Sequence, residues 1–148
     1  MITIREMTLQ DVEQVHELEN LAFSTPWSRQ DFVDMVENKD ALYLVVEAAN
    51  CPGTVIACCG MRSIVGEGDI SNVVVHPKWR KQGIAKKMLM ELLKRGKEEY
   101  SVEAYTLEVR KSNADAVKLY SGLGFVEAGI RKNFYAKPVE DAIIMWKR

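Results

Sequence analysis

The chain has 148 residues, of which 47% are hydrophobic and 28% are charged, and its formal net charge is −1. This length suits one domain with its own core, so we expect a single domain spanning residues 1–148. A near-zero charge offers no basic field for nucleic acid, and no apolar run reaches the length of a membrane span. The first residues lack a signal-peptide pattern, so we expect a cytoplasmic protein without nucleic-acid or membrane partners.

Three cysteines, Cys51, Cys58 and Cys59, have neither the spacing of zinc ligands nor the even number of a disulfide framework. Cys58 and Cys59 lie in a strand-like stretch, where small thiols are usually packed in the core. We therefore expect packing roles for these thiols and no metal site.

The N-terminal third alternates a strand with two helices. Residues 2–5 resemble a short first strand, and capping patterns at residues 8–11 and 28–31 each predict a helix start. Between the two helices, Trp27 is either a lid over a ligand or a residue that packs the helices together. Residues 42–48 and 54–63 then read as strands around a Cys-Pro-Gly turn, which predicts an antiparallel hairpin.

The middle of the chain joins a strand, a basic turn and a long helix. Val73–Val75 is a β-branched run that predicts a buried strand, and His76-Pro77 ends it. The turn Arg80–Ala85 follows, and from Ile84 onward apolar residues recur at helical spacing. Such a turn predicts an anion site, because free backbone amides and the positive helix end point in the same direction. The alternative is an ordinary strand-to-helix turn.

The last third predicts a strand at residues 104–110, parallel to the preceding strand because a helix connects them. A capping pattern at residues 112–115 opens a further helix, which ends at Gly122 or Gly124. Residues 125–135 and 141–146 predict the two closing strands.

Glu108 and Tyr120 are the candidate catalytic residues. Glu108 interrupts an apolar strand, where a carboxylate is costly unless it is hydrogen-bonded or faces a cleft. Tyr120 lies on the inward face of the next helix. The alternatives are a solvent-facing Glu108 and an ordinary core tyrosine.

Several sequence stretches together resemble the GCN5-related N-acetyltransferases (GNATs), and within that family the bacterial RimI group of ribosomal-protein-alanine N-acetyltransferases. The resemblance is carried by AFSTPWS near the N-terminus, RKQGIA after VVVHP, LEVRKSNADAVKLY, RKNFY and EDAIIM. These stretches cover nearly the whole chain. The resemblance implies an α/β fold of the α+β type, with a mixed, mostly antiparallel sheet, a central parallel strand pair splayed for acetyl-CoA, and about four helices.

The resemblance also implies acetyl-CoA as the acetyl donor, no metal, and roles for individual residues. Glu108 is implied as the general base and Tyr120 as the general acid. Trp27 and Tyr135 are our own candidates for the walls of the acceptor groove, and the alternative for each is a plain packing role. The implied cofactor-binding residues are Val73, Val74, Val75, Arg80, Lys81, Gln82, Gly83, Ile84, Ala85, Lys86 and Asn113. The sequence departs from the family at Ala85, where glycine is more frequent, and at Lys81 and Lys86, where arginines are common.

The favoured function is acetylation of a protein N-terminal α-amine, with the N-terminal alanine of a small-subunit ribosomal protein implied by resemblance alone. An α-ammonium with a pKa near 8 is easier to deprotonate at pH 7 than a lysine ammonium with a pKa of about 10.4. We expect direct attack in a ternary complex, because no cysteine is placed as an acyl carrier. The alternatives are a lysine or small-amine acceptor, and a non-catalytic acyl-CoA-binding module. The sequence leaves the oligomeric state open and is compatible with a monomer.

Overall fold

The computed structural model describes all 148 residues as one mixed sheet flanked by helices on both faces. The strands are Ile2–Glu6 (β1), Ala41–Ala48 (β2), Val55–Ile64 (β3), Glu67–Val75 (β4), Ala104–Arg110 (β5), Val126–Ala136 (β6) and Val139–Lys147 (β7). The helices are Val12–Ala22 (α1), Arg29–Glu37 (α2), Ile84–Tyr100 (α3) and Ala114–Gly122 (α4). None of the helices is both long and apolar enough to cross a bilayer.

The seven strands follow the order β1-β2-β3-β4-β5-β7-β6. Only β4 and β5 are parallel, and α3 connects them, while every other neighbouring pair is antiparallel. The expected fold class, including the central parallel pair and the four helices, is confirmed.

Two hydrophobic cores lie on opposite faces of the sheet. The larger one packs α3 and α4 against alternate residues of the strands, and the smaller one packs α1 and α2 against the other face. Leu107 and Val109 belong to the α3/α4 core. Because successive side chains of a strand point to opposite faces, Thr106 and Glu108 lie on the α1/α2 face.

Strand β4 separates from β5 after the first three of its nine residues. The parallel pairing runs only from Glu67 to Asp69, which lies opposite Thr106, although both strands continue beyond this point. The C-terminal half of β4 is therefore paired on one side only, with β3. This gap explains why Val73 and Val75 are half-exposed and only Val74 is buried, so the expectation of a fully buried run was wrong.

The capping patterns in the sequence predicted the start of α2 correctly and the start of α4 one residue too early. Ser28 and Asp31 form the expected reciprocal pair at the start of α2. At α4 the capping residue is Asn113, whose side chain accepts a hydrogen bond from the amide of Ala116 at 3.2 Å, so the box starting at Ser112 was wrong. The shift by one residue leaves Asp115 in the first turn, where a negative charge favours the helix.

Glu19 on α1 is fully buried beneath the sheet. It accepts hydrogen bonds from the Tyr43 hydroxyl at 2.6 Å and from the Asn72 side-chain amide at 2.8 Å. Burial outweighs these bonds and raises the pKa of Glu19 from 4.5 to about 7.

The raised pKa of Glu19 predicts how stability depends on pH. The folded state binds this proton more tightly than the unfolded chain, so the stabilisation is complete below pH 4.5 and is lost as pH rises through about 7. Across that window we expect Glu19 to reduce the free energy of unfolding by up to about 3 kcal/mol. Urea unfolding of the wild type and of Glu19→Gln at several pH values checks this. The glutamine variant should lack this part of the slope, and parallel curves for the two proteins would contradict the assignment.

Candidate active site

The turn before α3 presents unpaired backbone amides. Gly83 precedes the helix with φ of 76°, a left-handed conformation that favours glycine. The first backbone bond of the helix runs from the amide of Lys87 to the Gly83 carbonyl at 3.2 Å. The amides of Ile84, Ala85 and Lys86 therefore have no acceptor within the helix, and no side chain caps this end.

Basic side chains surround these amides. Lys81, Lys86 and Lys87 are exposed, and Lys81 itself has φ of 63°. Arg80 folds back so that its Nε donates to the Val75 carbonyl at 3.2 Å, which ties the turn to the end of β4. Free amides, a positive helix end and exposed cations suit a pyrophosphate. The chain thus fits the phosphate portion of acetyl-CoA.

The gap between β4 and β5 opens beyond Asp69 and runs along β4 to its end at Val75, the end of the strand from which the turn follows. Beyond Asp69 the edge of β4 that faces β5 makes no ladder hydrogen bonds. An extended ligand with amide groups can pair with such an edge as an added strand does. Val73, Val74 and Val75 lie along this edge.

Glu108 lies on β5 with its side chain 23% exposed, on the α1/α2 face of the sheet. Its pKa is raised, mainly because it is partly buried and further because of the negative charge of Asp69. Arg131 on β6 opposes this shift from 3.6 Å. Glu108 is therefore easier to protonate than an ordinary glutamate, which is a property of a general base.

Tyr120 lies on α4 and is 7% exposed, packed edge-on against Phe125 with ring centroids 5.9 Å apart. It belongs to the α3/α4 core, so it lies on the sheet face opposite to Glu108. Its hydroxyl makes no hydrogen bond within the chain and is not fully enclosed, since every enclosed side-chain nitrogen or oxygen has a partner. Burial of the residue raises its pKa well above 10. The phenol therefore stays protonated and is available as a donor.

Tyr135 on β6 lies electrostatically close to both candidates. Burial raises its pKa, and the charge of Glu108 raises it further, while Tyr135 in turn contributes to the raised pKa of Tyr120. The guanidinium of Arg110 lies 4.3 Å above its ring. Because Arg110 lies two positions from Glu108 on the same face of β5, this contact places Tyr135 near the Glu108 face of the sheet.

Trp27 is half-buried in the connection between α1 and α2. Its ring packs on Phe32 with centroids 5.4 Å apart, so it does pack the helices, as one of the two sequence interpretations held. It borders the smaller core, on the same sheet face as Glu108. Asn113 uses its side-chain oxygen as a helix cap, and its side-chain nitrogen makes no hydrogen bond within the chain.

Two charged residues of the site were missed in the sequence. Asp69 lies on β4 opposite Thr106, two positions from Glu108 on the same face, and Arg131 reaches Glu108 from the edge strand. Asp69 carries only a weak signal in the sequence, since β4 also contains Glu67 and nothing local distinguishes the two acids. Only the parallel register and the β6–β7 pairing reveal that these charges meet.

The thiols of Cys58 and Cys59 are packed in the core as expected, but one of them lies nearer to the candidate site than the sequence suggested. Cys59 lies close enough to Tyr120 to affect its pKa, so a cysteine does border the site. However, Cys58 and Cys59 are both fully buried, and burial raises both thiol pKa values well above the usual range. Neither is a thiolate at neutral pH, and a thiol is a poor acyl acceptor compared with a thiolate.

Comparison with known proteins places this chain among acetyltransferases. The model of the acetyltransferase (GNAT) family matches residues 12–125. The bS18-alanine N-acetyltransferase of Escherichia coli K12 is 34% identical, covering 98% of this chain and 96% of its own length. An N-alpha-acetyltransferase of Sulfurisphaera tokodaii is 30% identical, covering 96% and 90%. The crystal structure of the S18-alanine N-acetyltransferase from Escherichia coli superposes with a TM-score of 0.88 at 32% identity, covering 99% of this chain and 93% of that chain.

Proposed function

This chain belongs to the acetyltransferase (GNAT) family, whose acetyl donor is acetyl-CoA, and from that premise we propose that it acetylates the N-terminal α-amine of a protein. The observation that carries the proposal is Glu108, a carboxylate with a raised pKa at the open gap between β4 and β5. The preferred acceptor is the N-terminal alanine of ribosomal protein bS18, the substrate named for the Escherichia coli relative. Such an acceptor would place the enzyme in the cytoplasm.

The charges around Glu108 suit an ammonium acceptor. Asp69 and Glu108 lie on the same face, and in the free protein Arg131 supplies positive charge near both of them while Arg62 lies opposite Asp69 on β3. An incoming α-ammonium can replace Arg131 as the countercharge of Glu108. Since Arg131 is 56% exposed and 3.6 Å away, it can move aside with little loss of packing.

Glu108 then accepts a proton from the ammonium, directly or through one water. An α-ammonium with a pKa near 8 is about 1.4 kcal/mol from deprotonation at pH 7. The raised pKa of Glu108 reduces the mismatch between the two groups. The free amine attacks the thioester carbonyl of acetyl-CoA, so a nitrogen–carbon bond forms and the carbon–sulfur bond breaks. The proton that remains to be lost from the attacking nitrogen passes to the departing thiolate, which leaves as the CoA thiol.

Tyr120 acts on the departing sulfur from the other side of the gap. Its hydroxyl, which has no partner within the chain, donates a hydrogen bond to the developing thiolate. Because a thiol has a pKa near 8.5 and burial raises that of Tyr120 far above it, complete proton transfer from the phenol is uphill. Tyr120 is thus proposed to stabilise the thiolate as a donor. The high thiol pKa values of Cys58 and Cys59 favour direct attack over an acetyl-cysteine.

Binding of the donor and acceptor is proposed to use the remaining candidate residues. The turn from Arg80 to Lys86 holds the pyrophosphate, the edge of Val73–Val75 aligns the acetyl arm, and the free amide nitrogen of Asn113 contacts the donor. Trp27 and Tyr135 border the acceptor on the face that carries Glu108.

Acceptor peptides test this function. Peptides beginning with Ala, Ser or Met, each with one internal lysine, are incubated with acetyl-CoA and the product is mapped by mass spectrometry. We expect modification of the first residue, fastest for the bS18-like alanine peptide. Modification confined to the lysine would contradict the α-amine assignment, and no modification of any peptide or small amine would favour an acyl-CoA-binding module.

The substitution Asp69→Asn is expected to change how kcat/KM depends on pH. Removing this negative charge lowers the pKa of Glu108, so the acidic limb of kcat/KM moves to lower pH. The KM for the peptide rises because one charge that attracts the ammonium is gone, while kcat on the plateau stays close to the wild-type value. Steady-state kinetics from pH 5.5 to 9 measure all three.

The matched control for this change is Asp34→Asn, on the exposed face of α2. It should leave the pH profile and the KM unaltered. An acidic limb that stays in place in Asp69→Asn would show that Asp69 does not act on the base.

A further inference from the structure

Strand β4 contains a β-bulge at Asn72 and Val73, shortly after its pairing with β5 ends at Asp69. Cys58 pairs with Val74 and Gly60 with Ser71, so Asn72 and Val73 together face one residue of β3. Asn72 has φ of 60°, a left-handed conformation that asparagine tolerates better than most residues.

The extra residue reverses the alternation of side chains along β4. Ile70 belongs to the α3/α4 core, and Val73, three positions later, packs against the same core. Val74 belongs to the α1/α2 core. Without the bulge these valines would exchange faces, and the edge proposed to align the acetyl arm would present different backbone groups to the gap.

Asn72 donates hydrogen bonds from its side-chain amide to the buried carboxylate of Glu19. Its side-chain nitrogen lies 2.8 Å from both carboxylate oxygens, and Glu19 itself is 0% exposed. The Tyr43 hydroxyl donates to the same carboxylate at 2.6 Å and lies 3.3 Å from Cys58 Sγ. A fully buried carboxylate that meets two donors from two strands is an expensive arrangement to keep for packing alone.

We propose that Glu19 is a positioning residue: by accepting the Asn72 amide it locks the β4 bulge in the register that presents Val73–Val75 to the acetyl donor. This inference rests on the proposed function for its consequence in catalysis. Glu19 lies outside the gap and does not touch the reacting atoms, so its effect passes through Asn72.

Two substitutions separate this role from general packing. Asn72→Gly keeps the left-handed backbone accessible but removes the amide, so the bulge loses its anchor. Tyr43→Phe removes the other donor and leaves the contact between Asn72 and Glu19 in place. Glu19→Gln is the conservative rescue, since its oxygen can accept from Asn72 while its nitrogen donates to the Tyr43 oxygen.

The expected results differ among the three variants. Asn72→Gly should weaken acetyl-CoA binding about tenfold by calorimetry, in keeping with one lost hydrogen bond to a charged group. Tyr43→Phe should unfold at lower temperature yet bind acetyl-CoA as the wild type does. Glu19→Gln should bind with nearly wild-type affinity. Unchanged binding in Asn72→Gly, or an equal loss in Tyr43→Phe, would overturn the positioning role.

Amide hydrogen exchange gives a readout that does not depend on the proposed function. Exchange at residues 71–75 should be faster in Asn72→Gly than in the wild type, and unchanged in Glu19→Gln. If exchange shows the expected pattern but neither the wild type nor any variant binds acetyl-CoA, the positioning of the bulge by Glu19 is supported and the proposed function is refuted. Identical exchange in Asn72→Gly and the wild type would overturn that positioning itself.

Discussion

Glu108→Gln is expected to lower kcat/KM for the acceptor peptide by about 10²- to 10⁴-fold, the range by which general base catalysis contributes. The amide has nearly the same shape as the carboxylate but cannot take a proton from the ammonium. The acidic limb of the wild-type profile, which follows the raised pKa of Glu108, should disappear in the variant. Thioester-release kinetics between pH 5.5 and 9 measure both effects.

The control for Glu108→Gln separates chemistry from binding. Calorimetry should give the variant a wild-type affinity for acetyl-CoA, because the phosphate turn and the edge of β4 are untouched. Glu127→Gln, on the exposed part of β6, removes a carboxylate of the same type away from the gap and should leave the rate unchanged. A Glu108→Gln enzyme that acetylates at the wild-type rate would refute the assigned base.

Tyr120→Phe is expected to lower kcat by about 10- to 100-fold while leaving the KM for acetyl-CoA close to that of the wild type. The lost interaction is a hydrogen bond to a developing thiolate, and bonds to charged groups contribute about 1.5–3 kcal/mol. Because the Tyr120 hydroxyl has no partner within the chain, its removal leaves no other group unpaired. Single-turnover acetyl transfer at saturating donor isolates the affected step.

Tyr100→Phe is the matched control for this tyrosine. The Tyr100 hydroxyl donates to the Ala41 carbonyl at 3.2 Å, at the C-terminal end of α3 and far from the phosphate turn. Its removal should lower stability by about 1 kcal/mol and leave kcat unchanged. A normal kcat in Tyr120→Phe would show that the sulfur needs no donor from α4.

Local patterns predicted most elements because the interactions that start and end them are local. The capping pair of Ser28 and Asp31, the turn between β2 and β3, and the left-handed glycines at positions 83 and 124 depend on near neighbours in the chain. The third capping box failed by one residue because Ser112 and Asn113 are both good caps. The choice between them depends on where β5 ends.

Charged residues that are distant in the chain but close in the fold could not be predicted from local sequence patterns. Asp69 and Glu108 are brought together by the parallel register of β4 and β5, and Arg131 by the pairing of β6 with β7. Nothing in the spacing of these residues indicates their proximity. The predicted roles of Glu108 and Tyr120 likewise came from resemblance, and they remain proposals that the two substitutions above test.

The sequence by itself determined the class of fold, the order of the strands and helices along the chain, the family and the position of the basic turn before α3. Each of these depends on local periodicity, capping or motifs that span a few turns of chain. Only the tertiary structure decided where β4 separates from β5, on which faces of the sheet Glu108 and Tyr120 lie, and that Glu19 meets the β4 bulge through Asn72. These features arise from strand register and from the burial of a charge, which are set by contacts between residues distant in the chain.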